Sequence, residues 1–283
     1  MGLLDVFNQL TRWAERRHGP RPLHETIRGL SHWDKTALGR TLIGEQRDQI
    51  DEILSGLFGY HLLELSCFDT VSLSSGSRIN HRFRLSPTQS DHIAALASPE
   101  ELPLASECLD VVLLHHVLDY SPHPHQVLRE ANRALIARGH LIIVGFNPWS
   151  LQGLHKIIAQ WLGRGDFWRR HSLRSGRVID WLHLLDCTPI QIERGFYRMP
   201  VNHDSTLGRF QFWETLCRKL KLPFGGYYII VATKDRVSMK PIKPSWKGIN
   251  PIAGLSLGKP AGRMPEPTKH TVKPAKSVVR GQE

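Results

Sequence analysis

The 283-residue sequence predicts an α/β protein built on an open, mostly parallel sheet. Two strongly apolar runs flank one amphipathic helix, which is the pattern of a β-α-β unit. Further strand-like and helical segments alternate on both sides of this unit. Apolar residues make up 41% of the chain, a value typical of a globular protein.

The central β-α-β unit spans 39 residues, from Cys108 to Phe146. Its strands are predicted at Cys108–Leu114 (CLDVVLL) and His140–Phe146 (HLIIVGF), both apolar enough to be buried on two faces. The helix between them is predicted at Pro124–Ala137, with Gly139 as its stop. Such a crossover is almost always right-handed and joins parallel strands. One apolar stripe marks the buried side of this helix: Val127, Leu128, Ala131, Ala134 and Leu135.

The flanking segments extend the same alternation. Before the central unit, residues 1–58 have helical periodicity, and two strands are predicted at His61–Cys67 and Ile79–Leu85. Only a short, serine-rich stretch, 69–78, is available for a helix between these two strands. After the unit the pattern predicts, in order, a helix near 150–162, a helix at Arg177–Leu185, a strand at Pro189–Tyr197, a helix near 207–220 and a strand at Tyr227–Lys234.

Three domains follow: an N-terminal helical extension (1–58), an α/β domain (59–235) and a tail (236–283). The tail holds ten lysines and arginines against two acids, so it carries +8 of the formal net charge of +11. With seven prolines and few large apolar residues, it is predicted to be disordered. The high charge therefore belongs mainly to the tail, which could bind nucleic acid nonspecifically, and does not mark the folded domain as a nucleic-acid binder.

The expected location is the cytoplasm. The four cysteines, at 67, 108, 187 and 217, have neither zinc-ligand nor C-x-x-C spacing, so reduced thiols are expected. The first residues lack the basic start of a signal peptide. Uninterrupted apolar runs such as Leu141–Val144 are far too short to cross a bilayer, so no transmembrane segment is predicted.

Four segments within or just before the central unit carry a family resemblance: LPL at 102–104, LDVVLL at 109–114, LREANRAL at 128–135 and GHLII at 139–143. They resemble the central part of the type 11 class I S-adenosylmethionine-dependent methyltransferases. That family shows LPF, then FDVV on the fourth strand, then a helix ending in RVL and a glycine-led fifth strand. The resemblance covers about residues 60–150 and implies a Rossmann-like sheet, S-adenosylmethionine as cofactor and methyl transfer to an acceptor that the sequence does not identify. The order of elements that follows is also similar to the family, which implies that Pro189–Tyr197 and Tyr227–Lys234 form an antiparallel closing pair of strands.

The first cofactor motif of that family, vLDLGCGTG, aligns with Leu62–Thr70 (LLELSCFDT). Glu64 takes the acidic position, while Ser66, Phe68 and Thr70 replace the glycines that allow a close backbone approach. The acid that binds ribose aligns with Arg84, which has no acceptor atom, and the adenine contact falls near Ser98-Pro99. The resemblance thus implies these cofactor-binding residues at the carboxyl ends of the strands: Glu64, Ser66, Phe68, Ser98, Pro99 and His115.

The predicted catalytic residue is His116, because an imidazole has a near-neutral pKa and can act as a general base. His115 is expected nearer to the cofactor. Two further histidines, His123 and His125, complete a cluster around Tyr120, but pocket lining is favoured over metal binding and no metal is predicted. Aromatic and basic residues at 161 and 167–170 are expected to form a lid, with base stacking as the alternative.

Two function classes remain open from the sequence. One is an S-adenosylmethionine-dependent methyltransferase of unknown substrate. The other is a methyltransferase-fold protein without turnover that acts as a binding or scaffold protein and associates with RNA through its basic tail. The departures at Ser66, Phe68, Thr70 and Arg84 are the reason for the second.

Overall fold

A computed structural model describes residues 21–68, 72–150, 152–153, 155–156, 166–197 and 224–235, all of which belong to the unit Met1–Ser238. Its helices are α1 (Leu23–Leu30), α2 (Ala37–Ser55), α3 (Val117–Tyr120), α4 (Pro124–Ala134) and α5 (Ser175–Leu184), with a 3₁₀ turn at Asp166–Trp168. Its strands are β1 (His61–Ser66), β2 (His81–Ser86), β3 (Ala95–Leu96), β4 (Leu109–His115), β5 (Leu135–Phe146), β6 (Cys187–Gly195) and β7 (Tyr227–Lys234).

The strands of the described residues form one sheet in the order β3-β2-β1-β4-β5-β7-β6. Strands β1 to β5 pair with one another in parallel, whereas β7 lies antiparallel to both β5 and β6. The predicted fold class is therefore confirmed, including the closing antiparallel pair. The order in which the chain adds strands to the sheet reverses between β1 and β4. Ligands of open parallel sheets bind at such a point, outside the carboxyl ends of the strands. We call this end of the sheet the crest; Ser66 of β1 and His115 of β4 are paired there.

The central β-α-β unit is confirmed, but the prediction of where its helix ends was wrong. Helix α4 ends at Ala134, and Leu135 is already extended and paired with Leu109. Gly139 lies inside β5 and does not stop the helix. A Cβ on Gly139 would lie 2.7 Å from Cγ of Leu135 and 3.0 Å from the carbonyl oxygen of Asp110. Glycine is needed here because two backbones approach closely.

No helix connects β1 and β2 within the described residues 72–80, which form turns and bends. Helix α2 lies against this connection: Arg47 donates to Ser75 Oγ at 3.0 Å, and Asp51 accepts from the Gly76 amide at 3.2 Å. Thr36 caps α2 by accepting from the amide of Gly39 at 3.1 Å. Helix α2, which lies before residue 58, therefore packs where a helix between β1 and β2 would otherwise cover the sheet.

Helix α2 also contacts the closing strand pair. Glu45 accepts from the Phe196 amide at 3.0 Å and from the Tyr227 hydroxyl at 3.3 Å. The buried apolar residues of α1 and α2 belong to the same hydrophobic core as those of the sheet. The domain boundaries at 58 and 235 stay predictions.

Several predicted segments lie outside the described residues: the helix pattern of residues 1–20, most of the helix near 150–162, the helix near 207–220 and the tail. Among the helices that are described, none combines the length and the apolar character needed to cross a membrane.

Candidate functional site

The structure brings four of the predicted site residues together at the crest: Ser66, Phe68, His115 and His116. Ser66 ends β1, His115 ends β4, and Ser66 Oγ lies 2.9 Å from His115 Nδ1. His116 follows in the left-handed region with a φ of 58° and precedes the short helix α3. Both histidines are completely buried.

A glutamine from α2 connects the two histidine rings. Gln46 Oε1 lies 3.0 Å from His115 Nε2, and Gln46 Nε2 lies 3.0 Å from His116 Nε2. On its other side, His116 Nδ1 lies 2.9 Å from Asp119 Oδ2, which also accepts from the Phe146 amide at 3.0 Å. The result is a continuous buried chain of polar side chains across the crest: Ser66, His115, Gln46, His116 and Asp119.

Burial dominates the electrostatics of this chain. It lowers the pKa of His115 and of His116 well below 6.5, because the uncharged imidazole is favoured away from water. The positive charge of Arg170 lowers the pKa of His116 further. Burial raises the pKa of Asp119 to about 7, against the opposing influence of Arg170 and of the Phe146 amide. At neutral pH both rings are therefore neutral.

Aromatic side chains cover the crest. Phe68 is 2% exposed and packs against both histidines, with ring centroids 5.5 and 5.6 Å apart. Trp33, from the turn between α1 and α2, lies 5.4 Å from Phe68 and stacks on Phe167 at 3.7 Å. Phe68 and these two rings thus close the crest over the polar chain.

The segment that includes Phe167 lies where the lid was predicted. Phe167 accepts from the Tyr120 hydroxyl at 2.9 Å through its carbonyl group. The Arg170 guanidinium lies 4.0 Å from the centroid of the Phe146 ring and is 2% exposed. Because Phe167 and Arg170 are buried against the crest, neither side chain is available for stacking nucleic-acid bases, and the position supports the lid interpretation. Trp161 lies outside the described residues.

Glu64 makes an internal ion pair. Arg84 of β2 stands opposite Glu64 in the strand register, and their side chains meet at 2.5 Å, with exposures of 5% and 1%. Glu64 also accepts from the amides of Leu73 and Ser74 at 3.2 Å and from the Ser74 hydroxyl at 2.7 Å. The carboxylate therefore fastens the connection between β1 and β2.

Ser98 and Pro99 lie apart from this cluster. They follow β3, which is two strands away from β1, and Ser98 is exposed whereas Pro99 is buried. The predicted adenine contact is thus not joined to Ser66 or Phe68 by the fold as described. Among the described residues, no group of three or more histidine, cysteine, aspartate or glutamate side chains is placed to hold a metal ion.

The described residues do not fit the cofactor cradle of the methyltransferase family. The Glu64 carboxylate is already saturated, and the cation paired with it stands at the position that should accept from ribose. Phe68 brings a buried ring to a position where the family has the freedom of glycine. At the aligned positions that the structure describes, 64–68 and 84, this arrangement leaves neither an acidic ribose ligand nor an open loop.

Three residues of the site were missed by sequence reasoning: Gln46, Asp119 and Trp33. Asp119 had a local signal, because it lies three residues after His116 at helical spacing. Gln46 had only a weak signal, a polar residue on the buried face that also holds Ile43 and Ile50. Nothing in the sequence relates Gln46 to histidines 69 and 70 positions later.

Comparisons with known proteins agree with the fold. Residues 70–143 match the family of methyltransferase domains. The protein YafS of Escherichia coli (strain K12) is 30% identical over 183 residues, which cover 65% of this chain and 75% of YafS.

Solved structures of methyltransferases align at low identity. A SAM-dependent methyltransferase from Archaeoglobus fulgidus is 16% identical with a TM-score of 0.48, covering 69% of this chain and 94% of its own. A methyltransferase solved with the Haloferax volcanii activator Trm112 is 14% identical with a TM-score of 0.49, covering 74% and 97%.

The match to YafS extends over three quarters of that protein at 30% identity. The methyltransferase-domain match covers β2 to β4, α4 and most of β5, which include the strand that ends in His115. S-adenosylmethionine is the cofactor of this methyltransferase class. The chain therefore belongs to the same family as YafS, and its α/β domain is a class I S-adenosylmethionine-dependent methyltransferase domain.

Proposed function

We propose that this chain is an S-adenosylmethionine-dependent methyltransferase whose acceptor reacts at the crest, beneath the lid segment 166–170. The observation that carries the proposal is the position of the buried polar chain. The sheet order delivers Ser66 and His115 to the carboxyl ends of β1 and β4, where open parallel sheets bind their ligands.

Methyl transfer from a sulfonium needs little acid-base chemistry, because the leaving group is a neutral thioether. Alignment of the acceptor supplies most of the rate enhancement, and a base that removes a proton from the acceptor adds to it. The neutral rings of His115 and His116 are the candidates for that proton acceptor. Trp33, Phe68 and Phe167 exclude water from the crest, and they must separate before an acceptor can enter.

The cofactor-binding roles of Glu64, Ser66, Phe68, Ser98, Pro99 and His115 stay predictions, as does the catalytic role of His116. The poor fit of Glu64 and Phe68 makes cofactor binding the decisive property to measure. Since a closed crest must open before anything binds, we expect weak binding by the wild-type protein and tighter binding once an aromatic ring of the cover is removed.

The test is calorimetric titration of the full chain with S-adenosylhomocysteine. We expect saturable binding that strengthens in Trp33→Ala, which removes a ring that stacks on Phe167. The matched control is Trp181→Ala on α5, whose ring contacts His125 at 3.8 Å, and its affinity should equal that of the wild type. Absence of binding by all three folded proteins at millimolar ligand would overturn the proposal and favour the scaffold alternative.

Two further expectations, one about the basic tail and one about location in the cell, accompany this proposal. The basic segment 236–283 binds nucleic acid nonspecifically, which requires an affinity that falls steeply with salt and disappears when the segment is deleted. An affinity unchanged by the deletion would contradict it. The protein is cytoplasmic, and fractionation of cells that express a tagged full chain tests this location.

A further inference from the structure

The amide group of Gln46 stands between two imidazoles, and its two ends differ in what they can offer to the rings. Its Oε1 lies 3.0 Å from His115 Nε2 and its Nε2 lies 3.0 Å from His116 Nε2. A carboxamide offers one accepting end and one donating end. Gln46 Oε1 also lies 3.3 Å from His116 Nε2, so the carboxamide by itself allows His116 Nε2 either to donate to Oε1 or to accept from the NH₂ group.

Asp119 determines which arrangement holds. An ionised carboxylate only accepts hydrogen bonds, so the ring nitrogen that faces it at 2.9 Å, His116 Nδ1, must carry the proton. A neutral ring then has an unprotonated Nε2, which accepts from the Gln46 NH₂ group. The Gln46 oxygen is thereby turned to His115, where it accepts from a protonated Nε2.

The remaining nitrogen of His115 is left without a proton. His115 Nδ1 faces Ser66 Oγ at 2.9 Å. The Ser66 hydroxyl accepts from the Phe68 amide at 3.1 Å, and its single proton has two acceptors nearby, His115 Nδ1 and the Phe68 carbonyl at 2.9 Å. Of the four ring nitrogens, only this one is unprotonated and faces a hydroxyl.

We propose that Gln46 is a positioning residue that gives His115 the tautomer opposite to the one that Asp119 sets on His116, and that His115 Nδ1, beside Ser66, is the proton-accepting end of the site. His116 has both nitrogens engaged and acts by orienting Gln46. The assigned tautomers do not depend on the proposed methyl transfer, whereas the role of His115 as proton acceptor rests on that proposed function. Because Gln46 belongs to α2, the segment before residue 58 completes the site.

The test is nitrogen-15 NMR of the histidine rings in the full chain, assigned with His115→Asn and His116→Asn variants. We expect His116 protonated on Nδ1 and His115 protonated on Nε2 at about pH 8, where Asp119 is ionised. The positive charges of Arg170 and Lys156 near Asp119 act to keep it ionised. The same tautomer on both rings, or the reverse assignment, would overturn the proposal.

A substitution at Gln46 separates positioning from simple packing. Gln46→Glu replaces the donor by a second carboxylate, so His116 would lie between two carboxylates and become doubly protonated at a pH where the wild-type ring is neutral. Gln46→Met keeps the volume but removes both bonds, so His115 should show mixed tautomers, whereas His116 should keep its Nδ1 proton beside Asp119. A wild-type spectrum in Gln46→Glu would contradict the proposal.

Gln49 provides the matched control. It is also buried, lies three residues further along α2, and has an Oε1 without a hydrogen-bond partner in the described part of the chain. Gln49→Glu and Gln49→Met should leave the histidine tautomers unchanged. If the Gln46 variants fail to fold, the wild-type spectrum still decides the assignment. Loss of S-adenosylhomocysteine binding would refute the methyltransferase proposal without changing these tautomers.

Discussion

Replacing Arg84 by methionine should destabilise the protein by more than the loss of a solvent-exposed arginine would. Arg84 and Glu64 are both buried and meet at 2.5 Å. Methionine fills a similar volume but leaves the Glu64 carboxylate as a buried charge without its cation. Breaking a buried ion pair from one side costs about 3–5 kcal/mol.

The structure places the expected cost at the lower end of that range. Glu64 keeps hydrogen bonds from two backbone amides and from the hydroxyls of Ser72 and Ser74. These donors partly compensate for the lost cation, so we expect a loss of about 3 kcal/mol in the free energy of unfolding. For a domain of this size, that corresponds to a decrease of about 6–12 °C in Tm.

Urea unfolding followed by circular dichroism at neutral pH measures this loss. The control is Arg82→Met on the same strand: Arg82 is exposed, and its Nη1 donates to the carbonyls of Ser74, Ser75 and Ser77. Its loss should cost about 1 kcal/mol. The double variant Glu64→Gln with Arg84→Met removes both charges and should recover most of the stability.

Two results would refute this reasoning. One is an Arg84→Met variant that is no less stable than Arg82→Met. The other is a double variant that is no more stable than Arg84→Met alone, because then the uncompensated carboxylate is not the source of the loss.

Two further predictions concern the crest. Burial raises the pKa of Asp119 from 3.8 to about 7, so its ionisation opposes folding. The free energy of unfolding of the wild type should therefore fall by about 4 kcal/mol relative to that of Asp119→Asn as pH rises from about 4 to about 7. Urea unfolding at several pH values measures this difference, and a difference that stays constant would contradict the prediction. Trp33→Ala removes a half-buried ring stacked on Phe167 and should cost about 2 kcal/mol in the same assay, whereas Trp33→Phe should cost less; equal losses would show that stacking is not the cause.

The parts of the fold that the sequence predicts are those with a local signal. The strand at Tyr227–Lys234 is predicted at its observed bounds, because eight residues of strand-forming character follow two glycines. The helix before Leu135 is predicted too long, because a helical stripe continues through a residue that pairs with Leu109. Whether Leu135 continues the helix or begins β5 depends on its pairing with Leu109 of the neighbouring strand, and no local sequence pattern contains that register.

The candidate site follows the same division. His115 and His116 are found because they end a buried strand, where ligands of such sheets bind. The partner of Glu64 depends on the pairing of β1 with β2, which places Arg84 directly opposite. Gln46 and Trp33 come from the chain before the sheet begins, so their positions depend on tertiary packing that a single sequence does not reveal.

Neighbouring residues of α2 tie together parts of the chain that are made far apart in time. Glu45 accepts hydrogen bonds from residues 151 and 182 positions later, and Gln46 contacts residues 69 and 70 positions later. During synthesis, α2 leaves the ribosome long before Tyr227, so its contacts with the closing strands must wait for nearly the whole domain. Contacts of such long sequence separation are slow to form. The last folding step should therefore form the contacts of α2 with the crest and with the closing strand pair together.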